Sequence, residues 1–575
     1  MILILAACGD AGGGAAGMSA SSIPGVSSAT ESTAGTTAET NADATASAPT
    51  DGGSGEASAG MTTTAAAGST SGTGSSSESS GGVVDSTGAS TGEIKLDVGA
   101  PDSDGDTGDA GSCAAAETSL NSAGCLFAPM IGNVKLELPW AVVAANASGG
   151  QAANVKLFAV SGEMIEAASV EPGQLHTFVI AANSAYLGQH AVQSLTGVTT
   201  QALRLESDVP VAAYQFSPYA SSQVATADAS LLLPVHAWGD DYLVPSYHNS
   251  DSSDSWVSVI SMVDDNEITI EMPGGMTGAT AAGGTIPAMV AGMGHVETID
   301  ALQVLRVVSP GESAADFTGM RIRSSEPVAV FTGSPAMSLP GPGMNFYKDY
   351  LEEQVPPRTA WGHEYAVVKF RPRSDERDLY RFLADKDGTL LTLSGGVDAQ
   401  VMLDEGEFHQ VLTDESFLAT GSEAFMVAHY MLSSDQSNGP KDDVQYPGPF
   451  ISQNCANPDQ THTELGDPAI TFIPPIAQYR SNYTFLTPET YGWDMLTVVA
   501  PMSGWGSITL DGQPLPAATD LGFKGLGEAR FLIPDGPHDV RSATTKFGIE
   551  VYGYDCRISY AYPGGLQLAE INPPQ

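Results

Sequence analysis

Positive charge is scarce in this 575-residue chain: 22 Lys and Arg stand against 67 Asp and Glu, a formal net charge of −45. A surface of that sign repels phosphate backbones and anionic headgroups, which argues against direct contact with nucleic acid or a lipid face. No apolar run approaches the roughly 20 residues that a membrane-spanning helix needs. Cysteine is also rare, with five residues at positions 8, 113, 125, 455 and 556, and none forms the Cys-x2-Cys spacing of a metal site. The ten histidines contain no His-x3-His pair, and no Gly-x4-Gly-Lys phosphate cradle occurs. Adjacent acids such as Asp240-Asp241, Asp264-Asp265 and Glu352-Glu353 are expected at this acid content, and neighbours on a strand point to opposite faces. No catalytic residue, metal or cofactor is assigned.

Aromatic residues are missing before Phe127, and Lys95 is the lone base ahead of it. Residues 9–112 are mostly Ser, Thr, Gly and Ala, with 14 acids and one base, a net of −13. Without large apolar groups such a segment cannot offset the entropy of ordering, so it reads as a disordered acidic tether. As a coil it spans roughly 50–60 Å. Asp102, Asp104 and Asp106 have the 1, 3, 5 spacing of a calcium loop, but the sixth position is Thr107 and the twelfth Cys113, so the loop fails. Ahead of the tether, Leu5-Ala6-Ala7-Cys8 resembles a bacterial lipobox, in which the cysteine is lipidated and the preceding residues are removed. That resemblance implies a signal segment at 1–8, lipidation of Cys8, and a protein secreted or held at the cell envelope, in the outer membrane or at the cell surface. Any membrane contact would run through this N-terminal anchor alone.

From residue 113 the composition turns to short alternating runs of Val, Leu, Tyr and Phe bounded by Gly, Pro, Asp and Asn, the pattern of strands and turns. Three kinds of segment recur. The first is Pro-x3-Trp/Tyr-x3-Tyr: Pro234, Trp238, Tyr242; Pro357, Trp361, Tyr365; and Pro475, Tyr479, Tyr483. The second is an expected hairpin at 257–270, 379–393 and 496–510, with Asp387-Gly388 as a tight-turn signal. The third is SDVPVAAYQFSP at 207–218, SSEPVAVFTGSP at 324–335 and weaker copies at 422–432 and 545–555, aligned on Tyr214, Phe331, Tyr430 and Tyr552. The expectation is an all-β protein of about four tandem units at 113–220, 221–335, 336–434 and 472–575, with a connector at 435–471. Each is the size of a β-sandwich, and a closed, propeller-like arrangement is the alternative. Trp238 and its aromatic neighbours look like a site, but the third copy replaces Trp by Tyr479 and Gly by Arg480. A core plug survives such swaps and a reaction does not.

SDVPVAAYQFSPY followed by DASLLLPVHAWGDDYLVPSY resembles the N-terminal domain of IgGFc-binding proteins, and the likeness runs over residues 126–565. It implies an extracellular binding or adhesion module, and carries no functional residue across.

Two stretches interrupt the repeat and supply candidate binding residues. In MSLPGPGMNFYKDYLEE (337–353), Phe346, Tyr347 and Tyr350 beside Lys348 suit stacking on a sugar ring or an apolar partner. In KFRPRSDERDLYR (369–381), Arg371, Arg373 and Arg377 suit capture of carboxylate or sulfate. In an oxidising compartment Cys113, Cys125, Cys455 and Cys556 form two disulfides, with 113–125 and 455–556 the simplest of three connectivities. The function expected is adhesion to an extracellular protein or glycan; a structural envelope protein and a polysaccharide hydrolase are the alternatives.

Overall fold

The computed structural model describes residues 112–132, 138–146, 150–182, 195–199, 202–217, 219, 226–248, 254–310, 315–340, 347–373, 375–434 and 465–573. The lipobox-like start, the tether, the failed calcium loop, Phe346 and Cys455 lie outside the described residues. Among those described, the one α-helix is α1 (Cys113–Ser119), and the other long elements are strands. Alternation makes them so. In β3, Ala153, Val155 and Leu157 are buried while Asn154 and Lys156 face solvent.

The first sheet comprises β1 (Ala123–Phe127), β2 (Trp140–Ala145), β3 (Ala153–Phe158), β4 (Met164–Val170), β5 (Leu175–Ile180), β7 (Arg204–Ser217) and β8 (Asp228–Leu232). The second takes in β6 (Gly197–Thr199), β9 (Gly239–Val244), β10 (Trp256–Ser261), β11 (Asn266–Glu271), β12 (Gly294–Ile299), β13 (Val304–Val308), β14 (Met320–Met337) and β15 (Asp349–Gln354). The third runs from β16 (Gly362–Val367) through β17 (Asp378–Ala384), β18 (Thr389–Ser394), β19 (Ala399–Leu403), β20 (Phe408–Thr413) and β21 (Phe417–Tyr430) to β22 (Ile470–Phe472). The last part holds β23 (Asn482–Thr487), β24 (Trp493–Pro501), β25 (Ile508–Leu510), β26 (Gln513–Pro514), β27 (Thr519–Asp520), β28 (Leu526–Ile533), β29 (Gly536–Ser542), β30 (Gly548–Asp555) and β31 (Ile558–Pro563).

One long strand organises each of the first three sheets. The first half of β14 lies between β9 and β11, and its second half between β10 and β15. The register with β9 slips between Arg323 and Val328, across the Ser-Ser-Glu-Pro stretch. Proline lacks the N–H that a continuous ladder needs, so the strand bends there and passes from one layer to the other. β7 bends in the same way at Ser207–Pro210, and β21 slips register near Gly421–Ala424 without a proline. In the last unit the strand is broken outright: β29 pairs β23 and β25, while β30 pairs β24 and β31. The third recurring segment of the sequence is therefore a corner.

That corner overturns the expected hairpins. β10 does not pair with β11, nor β17 with β18, nor β24 with β25. Each member joins a different half of the bent strand, so the tight turn, with Gly388 at φ +70°, arches between two layers. The alignment of the third copy also shifts. Val355 and Ile473 donate their N–H groups to the carbonyls of Val330 and Val427, so Ala428, not Tyr430, matches Phe331. Finally, β8, β15 and β22 lie beyond the expected boundaries at 220, 335 and 434, yet they pair with the sheets before them.

The units close into a cycle. β8 touches β15 and β31, and β22 touches the same two strands. Around the periphery, a Cβ on Gly124 would fall 2.3 Å from that of Pro234, one on Gly239 2.7 Å from Pro357, and one on Gly362 2.4 Å from Pro475. Each opening strand thus docks on the next unit's opening proline. At the seam, Ser122 N–H donates to the Leu566 carbonyl and Leu566 N–H to Ser122 Oγ, joining the last unit to the first.

Candidate binding surfaces

The Pro-x3-Trp/Tyr-x3-Tyr residues share one geometry. Tyr242 accepts the Gly239 N–H (2.8 Å) and donates to the Val328 carbonyl (2.7 Å) just past the corner. Tyr365 bridges Gly362 and Phe425 alike, and Tyr483 bridges Arg480 and Phe547. The indoles of Trp238 and Trp361 donate to the carbonyls of Leu233 and Pro356, five residues earlier. All of these side chains are buried. The motif clamps the opening strand to the corner and is scaffold.

The two candidate stretches are largely absorbed as well. Tyr350 lies on β15 with its hydroxyl on Glu352 Oε2 (2.6 Å) and its ring tilted against Trp256, fully enclosed. Tyr347 is half-buried under the Arg557 guanidinium, 4.1 Å from its ring centre, and Lys348 is half-buried beside it. The structure does not gather the arginines into a patch. Arg373 is buried, donating to the carbonyls of Leu465 and Leu432, with its guanidinium beside Glu376 and over Tyr554. Arg371 is half-buried against the Arg530 carbonyl, and Arg377 alone is exposed. Tyr350 and Arg373 are thus corrected from ligand contacts to core. Interleaved Glu376 and Asp378 neutralise the bases locally, so the stretch folds inward.

The same stretch builds a buried charged joint between the third and fourth units. His429 is stacked between Phe370 (3.7 Å between ring centres) and Tyr380 (4.6 Å), with Nε2 on Asp378 (2.9 Å) and Nδ1 on Glu550 (3.2 Å). Burial alone would lower this imidazole, but the carboxylates on both nitrogens outweigh it and hold it above its ordinary range. Lys369 neighbours Asp378 on its other side. All of these groups are buried, so the joint fastens strands and presents nothing to a ligand.

At the centre of the cycle, Asp228 Oδ1 accepts the N–H groups of Ala229 (2.9 Å) and Ala561 (3.2 Å), and Oδ2 those of Glu352 (3.1 Å) and Ile470 (3.4 Å). Asp349 adds the N–H groups of Ala227 (2.6 Å) and Ser559 (3.1 Å). One carboxylate thereby touches the closing strand of every unit. No group of three or more acidic, histidine or cysteine side chains among the described residues is arranged to hold a metal.

What stays open in the first three units is the outer layer, and its chemistry changes from one of them to the next. On the first, β3, β4 and the start of β7 line a shallow groove of about 640 Å³ with Asn154, Lys156, Ser169, Glu206 and Asp208. Asp208 accepts from both the backbone and the side chain of Asn154 (2.7 and 2.6 Å), fixing one wall. On the second, the equivalent face carries Glu267, Glu271 and Arg323, the last paired with Glu271 at 2.6 Å. On the third it is uncharged and partly apolar: Leu390 stands opposite Met402, which is 60% exposed, beside Thr392 and Gln400. These faces carry no motif and do not interrupt the repeat, so the sequence does not mark them as sites. The exposed positions of the period-two pattern were the available signal.

Helix α1 is stapled to β1 by the Cys113–Cys125 disulfide, as expected. Cys556 is disulfide-bonded too.

A closed all-β repeat scaffold whose outer faces differ from unit to unit is the class that this fold defines. The family model described as IgGFc binding protein matches residues 228–553, more than half of the chain, and the chain belongs to that family, which marks it as a binding protein. The matched stretch opens at β8 and ends within β30, narrower than the 126–565 expected. No curated protein matches. Among solved structures, the native conformation of E. coli alpha-2-macroglobulin is similar at 8% identity and a TM-score of 0.12, over 77% of this chain and 39% of that one, a likeness too slight to carry an argument.

Proposed function

We propose that this protein is a non-catalytic adhesin that holds an extracellular protein or glycan through the outer faces of its repeat units. The observation that carries the reading is the contrast between a repeated interior and unrepeated faces. The tyrosine clamp recurs in three units, while the open faces pass from a polar groove at Lys156 to an uncharged Leu390–Met402 pair. Several weak faces on one chain add avidity. The Cys113–Cys125 disulfide supports an oxidising compartment, and Cys8 followed by an acidic tether supports display from a lipid anchor at the cell surface. The family's printed name makes IgG Fc one ligand to try.

The test is an array of glycans and glycoproteins, IgG Fc among them, probed with the full chain and with Lys156→Glu. A saturable hit, weakened about tenfold by the substitution, would place binding in the first unit's groove. An unaffected hit would move it to another face, and a blank array would refute the reading in favour of a structural envelope protein.

A further inference from the structure

The outer strand of the third unit is an edge with unusual chemistry for so acidic a chain. Among the described residues β19 hydrogen-bonds to β18 alone, which leaves its other side without a ladder. Proteins commonly guard such edges with charge, proline or a bulge. Here the outward-facing positions are Gln400 and Met402, the register to β18 is unbroken over five residues, and Met402 is backed by the exposed Leu390. An exposed, uncharged edge is the kind that accepts a further strand, with backbone bonds giving affinity and alternate side chains giving selectivity.

The chain already completes one edge in this manner. Residues 197–199, which follow the first unit's β5, form β6 and add to the outer side of β13 in the second, Thr199 opposite Val304 and Val198 opposite Leu305. The surroundings of β19 set the charge of an incoming segment. Asp387, Asp398, Asp404 and Glu407 are all exposed around the hairpin, and none forms an ion pair among the described residues. Lys386 is engaged by Glu423 (3.3 Å), and Glu405 by Arg321 and Arg358.

We propose that β19 takes up an extended segment of a partner protein as an added strand, with an apolar side chain against Met402 and Lys or Arg at the segment's ends. This rests on the binding reading above and names one of its partners by chemistry. The probe is the synthetic peptide Lys-Lys-Val-Thr-Val-Thr-Val-Lys-Lys, titrated against the full chain by fluorescence anisotropy at physiological ionic strength. Two further peptides are compared, one N-methylated at alternate valines and one with Glu in place of Lys.

The expected result is saturable binding of the first peptide, weakened about tenfold or more both by N-methylation, which removes backbone donors, and by Met402→Lys. Met164→Lys, on β4 of the first unit, makes the same change in net charge at another exposed methionine and should alter binding by less than about twofold. Equal loss in the two variants would show general charge attraction and overturn the proposal, as would an N-methylated peptide that binds as well as its parent. An array hit unchanged by Met402→Lys, together with no peptide binding, would sink strand addition while leaving the binding function standing. A bound peptide with a blank array would support strand addition and overturn only the glycan and glycoprotein ligands of the binding reading.

Discussion

Asp228 offers the sharpest test of how the cycle is held. Its two carboxylate oxygens accept four backbone N–H groups, from Ala229 on its own strand, Glu352 on β15, Ile470 on β22 and Ala561 on β31, and the side chain is fully buried. Replacing it with Asn keeps the shape but turns one acceptor oxygen into a donor. Whichever way the amide faces, two backbone N–H groups lose their acceptor and confront an NH2. A buried donor left unsatisfied costs about 1–3 kcal/mol, so Asp228→Asn should cost about 2–6 kcal/mol. That is a large part of the roughly 5–15 kcal/mol that holds a typical domain together. Urea unfolding of the full chain, followed by tryptophan fluorescence, reads the loss directly. Asp240→Asn, at an exposed acid on β9, serves as the matched control and should stay within about 0.5 kcal/mol of the parent. If Asp228→Asn behaves like the control, the central carboxylate does not tie the units together and the account of the hub is wrong.

Two further outcomes follow from the same interior. Glu352, enclosed with Tyr350 and Gln215, is pushed up to about 7 by burial, so the folded chain keeps a proton that the unfolded chain releases near 4.5. Its contribution is whole below that lower value and is lost as pH rises through 7, a swing of about 3 kcal/mol. Glu352→Gln should therefore flatten stability between pH 4.5 and 8 when melting is followed across that range. Gly239→Ala places a methyl 2.7 Å from Pro357 Cβ, within the docking of the second unit on the third. It should cost about 1–3 kcal/mol in the same unfolding assay, whereas alanine at the unobstructed Gly274 should cost less.

The period-two alternation made the strands legible, and the spacing of Pro-x3-Trp/Tyr-x3-Tyr revealed the repeat, because both signals are local. The partners of the acids were not legible. β15 reads Asp-Tyr-Leu-Glu-Glu-Gln, a poor strand by composition, yet all six residues are buried. Their charges and amides are met by groups more than a hundred residues away: Ala227 N–H on Asp349, Leu231 N–H on Glu353 and Leu233 N–H on Gln354. The burial of Tyr350 and Arg373 was not legible for the same reason. An aromatic or an arginine in a connector points wherever its distant partner stands, and one sequence does not contain that distance. The open faces fared no better, since Lys156 and Met402 occupy ordinary exposed positions of ordinary strands.

The departures of the last copy of the opening motif now have a cause. In the first three units a glycine lies at or next to the start of the opening strand, where the next unit's proline sits on it, at Gly124, Gly239 and Gly362. The fourth unit meets the first at the seam, and the residue at that position is Arg480. Its Nη1 donates to Ser122 Oγ (3.0 Å), the same oxygen that accepts the Leu566 N–H, while its backbone N–H still meets the Tyr483 hydroxyl. The clamp is thus kept and the dock replaced. Bare glycine suffices where a ring of proline must approach, and a long donor is required where the gap is closed by a serine ahead of β1. A change that would have destroyed a reaction centre is what a closed cycle of unequal ends demands. The same reasoning separates the interior of this protein, where substitutions follow the seam, from its outer faces, where they follow no internal partner and are left to be set by what binds.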